Sequence, residues 1–118
     1  MVRIRQSLLK SGRLVLSRHG MVTRADYHVV RPNGTADWLL IHCVSGGGKV
    51  QTLNGEAYIG PGTCVLFPEG CPQDYRIVEG QSCWEIQWAH FLPRDGWDPA
   101  RHGRSRGSCV RTAAVVSG

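Results

Sequence analysis

The stretch YIGPGTCVLFPEGCPQDY, residues 58–75, holds one short apolar run between two turn signals. Pro61-Gly62 precedes the run, and Pro68-Glu69-Gly70 follows it. Proline and glycine suit the central positions of turns, and Pro68 lacks the amide hydrogen that a strand interior donates. These two turn signals therefore predict a short strand at 63–67 that crosses a small β-structure.

The polar trio that follows begins the next predicted strand, at the mouth of that structure. Because side chains alternate along a strand, Gln73 and Tyr75 are expected on one face and Asp74 on the other.

Residues 26–97, called the body here, contain a series of such strands separated by Gly, Pro and Asn. The predicted strands are 26–31, 37–45, 49–53, 55–59, 63–67, 74–78 and 82–91, with a further candidate at 13–17. Asn54-Gly55 is the strongest hairpin signal and predicts a type I′ turn, which needs positive φ at both central residues. No part of the body has a sustained helical period, so the pattern predicts an all-β sandwich, barrel or double-sheet jelly roll.

Length and charge bound the organisation of the chain. Its 118 residues allow one domain. The net charge of +5 is uneven: residues 1–25 carry six Lys or Arg and no acid, the body has a net charge of −4, and residues 98–118 have a net charge of +3. We expect a basic N-terminal arm with a first strand at its end, and basic termini that are solvated arms rather than specific DNA contacts, because they lack interleaved aromatic residues.

The cysteines and the hydropathy of the chain indicate its cellular compartment. The five cysteines are odd in number and form no CxxC pair, so we expect neither a disulfide framework nor a zinc site. No apolar run reaches the roughly 20 residues of a membrane span, and the N-terminus lacks the apolar region of a secretory signal. These features predict a cytoplasmic protein without membrane contact.

The last predicted strand carries two tryptophans on one face. Alternation places Trp84, Ile86, Trp88 and His90 together. From the pattern alone, this face fits either a packed core or the lining of a ligand cavity.

Several elements in order resemble the N-terminal sensing domain of AraC-type transcription regulators, a cupin-like jelly roll. They are Arg31-Pro32-x-Gly34, the Trp38 strand, the Gly46/Gly48 turn, Pro61-Gly62, Phe67-Pro68-x-Gly70, Asp74-Tyr75, Trp84-x-x-Gln87-Trp88 and Phe91-x-Pro93-Arg94. The resemblance covers roughly residues 26–97 and implies a small-molecule sensor without a cofactor.

The resemblance also implies a pocket. The sugar-binding member of the family uses an Arg, a Tyr, a His and a Trp, and by position these fall on Arg31, Tyr75, Ile86 and Trp88. Ile86 stands where the family has His, so one polar contact is missing and arabinose itself is in doubt. Gln73 and Trp84 share faces with these residues and complete the expected ligand-binding set. An arm residue also contributes in the family, and the nearest candidates are Ser17 and His19.

The chemistry of these residue types fits a small polyhydroxylated or carboxylated ligand. An indole face packs against the C–H face of a sugar ring, and a guanidinium fork donates to hydroxyls or a carboxylate. The alternative is that Arg31 pairs with an acid of the body and that both tryptophans are core.

Metal catalysis is the main rival. Metal-dependent cupins resemble one another through a His-x-His element and a later His, but His42 is followed by Cys43 and Val44, and Gln73 occupies the later position. Gln is a poor ligand for Fe, Mn or Zn. We therefore expect no metal, no catalytic residues and no enzyme activity.

The C-terminal part departs from the family. Residues 98–118 are rich in Arg, Gly and Ser, lack a helical period, and are expected to form a disordered tail. The helix-turn-helix domain that follows in the family is not encoded here, so we expect no specific DNA binding by this chain alone.

The sequence thus favours the sensing domain of an AraC-type regulator without its DNA-binding half. One alternative is a stand-alone cupin enzyme acting on a sugar or a small acid. A second is a regulatory fragment that forms a homodimer or pairs with a full-length relative.

Overall fold

The computed structural model describes residues 12–93 and 109–114, which form nine strands. The strands are β1 (Gly12–Val22), β2 (His28–Arg31), β3 (Trp38–Gly46), β4 (Gly48–Thr52), β5 (Gly55–Ile59), β6 (Thr63–Phe67), β7 (Gln73–Ile77), β8 (Trp84–Pro93) and β9 (Arg111–Ala114). Every paired neighbour is antiparallel.

The strands build two sheets. One has the order β1-β8-β3-β6-β9, and the other has the order β2-β7-β4-β5. The chain passes repeatedly from one sheet to the other, as in a jelly roll, while β4 and β5 form a hairpin within one sheet. This arrangement confirms the all-β, cupin-like fold class that the sequence predicts. Within the described ranges there is no helix that could cross a membrane.

The main core lies between the sheets and consists of the inward residues of each strand. Trp84, Phe67, Leu39 and Ile41 are all almost completely buried. A second cluster of Trp38, Ala89 and Phe91 lies on the opposite face of the β3–β8 pair. Burial alternates along β7, where Gln73 and Tyr75 are buried and Asp74 is partly exposed, which confirms the two faces predicted for the trio.

Two similar turns bracket β6. The amide of Thr63 donates to the carbonyl oxygen of Gly60 over 3.0 Å, and Gly62 between them has a φ of 82°. The amide of Cys71 likewise donates to Pro68 over 3.0 Å, with Gly70 at a φ of 72°. Positive φ at the third turn residue is the type II geometry, which explains both bracketing glycines.

The predicted hairpin at Asn54-Gly55 forms, but its turn differs. Thr52 pairs with Gly55, which leaves Leu53 and Asn54 as the two connecting residues. Gly55 has a φ of 112°, and no non-glycine residue in the described ranges has positive φ. The predicted type I′ turn is therefore wrong, because Asn54 keeps negative φ and only the glycine takes the left-handed region.

Cysteine pairing is a second correction. Cys71 and Cys109 form a disulfide across 38 residues of sequence, whereas the sequence predicts none. Closing a loop of that length in the unfolded chain is worth up to about 4 kcal/mol in the chain-entropy model. The bond holds the start of the last segment against the turn that precedes β7.

That segment contains β9, which the sequence does not predict. Residues 111–114 fall in the tail expected to be disordered, yet they pair with residues 63–66 of β6. β6 would otherwise leave an open edge in its sheet, and β9 covers it. Residues 98–108 and 115–118 of the predicted tail, and residues 1–11 of the predicted arm, lie outside the described residues.

One close approach positions the connection from β2 to β3. Gly34 has a φ of 64°, and a Cβ there would lie 2.3 Å from the carbonyl oxygen of Cys71. The amide of Gly70 also donates to the carbonyl of Thr35 over 2.9 Å. The turn after Arg31 therefore packs backbone to backbone on the turn after Phe67.

We expect Gly34→Ala to lower the free energy of unfolding by about 3 kcal/mol or more, because the new Cβ meets fixed backbone and its φ is strained. Gly70→Ala is the matched control: its φ is also positive, but nothing lies within 4 Å of a Cβ there. It should cost about 1–2 kcal/mol. Urea unfolding of both variants measures the difference, and equal costs would contradict the packing described.

Candidate functional site

A cavity of about 150 Å³ lies between the two sheets. Its lining combines aromatic, aliphatic and hydrogen-bonding side chains: Tyr27, Arg31, Leu39, Ile41, Tyr75, Ile86, Trp88 and His90. A mainly apolar wall with a few polar groups is typical of small-molecule sites.

The indole of Trp88 forms the largest flat surface of the cavity. It packs over Gly20 of β1, where a Cβ would lie 3.1 Å from Cζ3 of the ring. A side chain at position 20 would therefore push against the ring. The indole is partly exposed, so one side is held by the sheet while the ring still lines the cavity.

Two tyrosines form another part of the wall. The rings of Tyr27 and Tyr75 lie 6.5 Å apart, and each also contacts Trp84 edge-on. Burial, together with the neighbouring Tyr75, raises the pKa of Tyr27 to about 12. The Tyr27 phenol therefore stays neutral at ordinary pH and keeps its hydrogen-bonding proton.

Arg31 ends β2 at the edge of the cavity. One guanidinium nitrogen, Nη1, donates to Oε1 of Gln73 over 2.9 Å and to the hydroxyl of Tyr75 over 3.2 Å. Both acceptors are neutral. Among the residues that the structure describes, Arg31 has no carboxylate partner, and it remains accessible to solvent.

A chain of hydrogen bonds continues from Gln73 to the other sheet. The Gln73 amide nitrogen donates to Thr35 Oγ1 over 3.3 Å, and this hydroxyl donates to the backbone carbonyl of Asp37 over 3.0 Å. The carboxylate of Asp37 then bonds Nδ1 of His90 over 2.8 Å. The chain links Arg31 on one sheet to His90 on the other through the β2–β3 connection.

The structure brings together four of the six predicted site residues: Arg31, Tyr75, Ile86 and Trp88 line the cavity. Gln73 is 1% exposed and does not line the cavity. Its amide oxygen bonds Arg31 and its amide nitrogen bonds Thr35, so it positions the guanidinium. Trp84 is completely buried in the core and does not line the cavity, although it shares a face with Trp88.

Sequence reasoning missed Tyr27, Leu39, Ile41 and His90 as lining residues. His90 could have been predicted, since alternation along β8 places it on the same face as Trp88. Tyr27 could also have been predicted, since it lies in the predicted strand 26–31 and alternation places it on the face of Arg31. In the structure it precedes β2, and the amide of Ile77 donates to its carbonyl over 3.2 Å.

The arm candidates lie away from the cavity. Ser17 pairs with Ala89 on the opposite face of β8. His19 bonds Glu85 over 2.7 Å at the surface. Neither lines the cavity in the part of the chain that the structure describes.

The donor groups around the cavity do not form a metal site. No cluster of three His, Cys, Asp or Glu side chains able to hold a metal occurs within residues 12–93 and 109–114. His42 is buried with Nδ1 unbonded, and burial lowers its pKa. His42 therefore stays neutral near pH 7 and lies outside the cavity lining.

A larger depression of about 320 Å³ lies elsewhere on the molecule. Its lining includes Val30, Leu53, Pro72 and the segment Cys109–Val110. Among the described residues, the only charged side chain in that lining is Asp74, which is engaged by His28 over 2.6 Å. The lining also includes Gln73, whose two polar atoms are engaged by Arg31 and Thr35, and it has no tryptophan or arginine from the described residues.

Comparison with known proteins adds a family and a relative. The family model described as AraC-like ligand binding domain matches residues 19–110. The arabinose operon regulatory protein of Salmonella typhimurium is 34% identical over 73 residues, covering 61% of this chain and 26% of that protein. The chain thus spans about a quarter of the length of this curated relative.

Solved structures share the fold at low identity. ToxT from Vibrio cholerae, solved with an unsaturated fatty acid, superposes with a TM-score of 0.63 at 10% identity, covering 90% of this chain and 43% of that chain. The iron(II) form of HppE superposes with a TM-score of 0.52 at 13% identity, covering 64% of this chain and 41% of that chain. At these identities the likeness shows the fold alone.

We expect Gln73→Met to lower the free energy of unfolding by about 1–3 kcal/mol, because it leaves partners of the hydrogen-bond chain unsatisfied while keeping side-chain volume. Gln51→Met on an exposed position of β4 is the control and should change stability by less than about 0.5 kcal/mol. Denaturant unfolding measures both. Equal effects would mean that the buried amide contributes nothing specific.

Proposed function

Because the chain belongs to the AraC-like ligand-binding domain family, we propose that the cavity between its sheets binds a small polar molecule. The observation that carries the proposal is the lining itself. It places the Trp88 indole, the Arg31 guanidinium and two tyrosine hydroxyls around one space. A stacking surface with a few fixed donors is the equipment that a small hydroxylated ligand requires.

The ligand of this proposal is small. A cavity of about 150 Å³ is below the roughly 300–1,000 Å³ of pockets that hold drug-sized ligands. The unsaturated fatty acid named for ToxT therefore suits this space poorly. A compound with about six to ten non-hydrogen atoms fits better, and sugars and small acids are within that range.

Sugar recognition in this pocket would differ from that of the relative named for arabinose. Ile86 is 4% exposed and presents an aliphatic side chain to the cavity. The resemblance to the sugar-binding member of the family predicts a histidine at position 86. One hydrogen bond to a hydroxyl is consequently lost, so pentose affinity should be weaker unless another group replaces it.

We propose a regulatory role for this binding. The arabinose operon regulatory protein is named as a regulator, and ligand occupancy in such a protein would bias the arrangement of its DNA-binding part through differential affinity for two states. The described residues form strands and no helix that could enter a DNA groove. Dimer formation or pairing with a longer relative in the cytoplasm would connect this domain to DNA.

Catalysis is the less favoured alternative. HppE shares the fold and was solved with iron(II), so the architecture itself admits metal enzymes. In this chain the amide oxygen of Gln73 accepts from Arg31, and its amide nitrogen donates to Thr35. The proposal of a binding role rests on that arrangement and on the named function of the sequence relative.

The test is a ligand screen with the whole chain, read by tryptophan fluorescence and confirmed by calorimetry, using L-arabinose, other pentoses and small hydroxy acids. We expect at least one compound to bind. Trp88→Phe should weaken it by about 1 kcal/mol through loss of stacking area, and Arg31→Ala by about 1–3 kcal/mol. Ile86→His should improve pentose binding.

The controls are Trp38→Phe, in the cluster on the opposite face of the sheet, and Arg24→Ala, whose side chain is exposed and paired with Asp26. Both should leave affinity unchanged. If Trp88→Phe and Arg31→Ala also leave the affinity of a confirmed ligand unchanged, the cavity is not the binding site.

A further inference from the structure

We infer that the cavity selects a short hydroxy acid, with Arg31 binding the carboxylate and His90, held by Asp37, binding a hydroxyl. The inference rests on the proposed function and makes the ligand class specific. It adds His90 and Asp37 to the site, neither of which the family comparison indicated.

The charge balance of the lining carries the first step. Among the described residues, Arg31 is the only permanently charged side chain that lines the cavity, and no described Asp or Glu lines it. Its two bonded neighbours, Gln73 and Tyr75, are neutral acceptors. Both bonds use the same nitrogen, Nη1, so the remaining donors of the fork carry no bond to another described residue. An accessible guanidinium without an anionic partner matches a carboxylate in geometry and charge.

The His90–Asp37 pair supplies the second step. An ionised carboxylate only accepts hydrogen bonds, so Nδ1–H of His90 donates to Asp37. In the tautomer that carries its hydrogen on Nδ1, the other ring nitrogen, Nε2, is an acceptor. The two side chains are only 20% and 23% exposed. A ligand hydroxyl that donates to Nε2 satisfies it, whereas a purely aliphatic ligand leaves it unpaired.

The topology places the two groups at opposite walls of one space. Arg31 ends β2 in one sheet, and Asp37 immediately precedes β3 in the other. His90 pairs in register with Leu39 of β3. The connection between Arg31 and Asp37 is itself fixed by Thr35, which accepts from Gln73. The aliphatic lining on the β3–β8 wall, Leu39, Ile41 and Ile86, suits a short carbon chain.

The experiment measures affinities of the whole chain for matched compounds by calorimetry. The probes are L-lactate, D-glycerate and L-arabinonate as hydroxy acids, L-lactamide as the uncharged counterpart of lactate, propionate as its counterpart without the hydroxyl, and L-arabinose as the neutral sugar. We expect at least one hydroxy acid to bind, and lactate to bind about 10-fold or more tightly than lactamide and several-fold more tightly than propionate.

The variants separate the two ends of the site. Arg31→Gln should lower hydroxy-acid affinity on the order of 10- to 100-fold and remove the preference for lactate over lactamide, while Arg31→Lys should keep part of it. His90→Phe and Asp37→Asn should reduce the preference for lactate over propionate. His28→Gln is the matched control, because His28 forms a similar pair with Asp74 away from the cavity, and it should change neither ratio.

The outcomes distinguish this inference from the function on which it rests. If L-arabinose binds as tightly as the acids or more tightly, the hydroxy-acid inference is wrong and the ligand-binding function stands. If no probe binds and no pentose of the wider screen binds, both are wrong. Acid binding that survives Arg31→Gln and His90→Phe also overturns the inference, since the acid then binds outside this cavity.

Discussion

The backbone contact between two turns determines the geometry of the site. Gly34 lies so close to the carbonyl of Cys71 that no side chain fits between them, and the amide of Gly70 bonds the carbonyl of Thr35. The first turn follows Arg31 and the second precedes Gln73. Packing them together places the guanidinium beside the amide that orients it and anchors the connection that carries Thr35 and Asp37.

The same contact links stability to function. A hydrogen-bond chain runs from Tyr75 through Arg31, Gln73 and Thr35 to Asp37, and Asp37 holds His90. Because these polar groups are already held in place, the ligand binding proposed for this site would cost little side-chain entropy. The Cys71–Cys109 bond reinforces this region from the other side, since it ties the segment leading to β9 to the residue that Gly34 approaches.

The strands were predictable because proline and glycine mark their ends. Pro61-Gly62 and Pro68-Glu69-Gly70 bracket β6 in the sequence and in the structure, and period-two alternation assigned the faces of β7 and β8. The failures have physical causes. Nothing local pairs Cys71 with Cys109 or β9 with β6, since both contacts join distant parts of the chain.

The site was predictable in part, for a related reason. Alternation shows that Trp84 and Trp88 share a face, but only packing shows that the first is sealed beneath two tyrosines and the second lines a cavity. The Asp37–His90 pair joins residues 53 positions apart, and its geometry depends on the register of β3 and β8. Sequence periodicity carries no information about that register.

Whether the cavity beside Trp88 is the ligand site, as we propose, can be measured by fluorine NMR. The whole chain is labelled with 5-fluorotryptophan, and the four resonances are assigned by single Trp→Phe variants. On titration with a confirmed ligand, we expect the resonance of Trp88 to shift far more than those of Trp38 and Trp84, because of these three described tryptophans only Trp88 lines the cavity. A saturable shift confined to Trp38, or no shift of Trp88 at saturation, would show that the ligand binds outside this cavity.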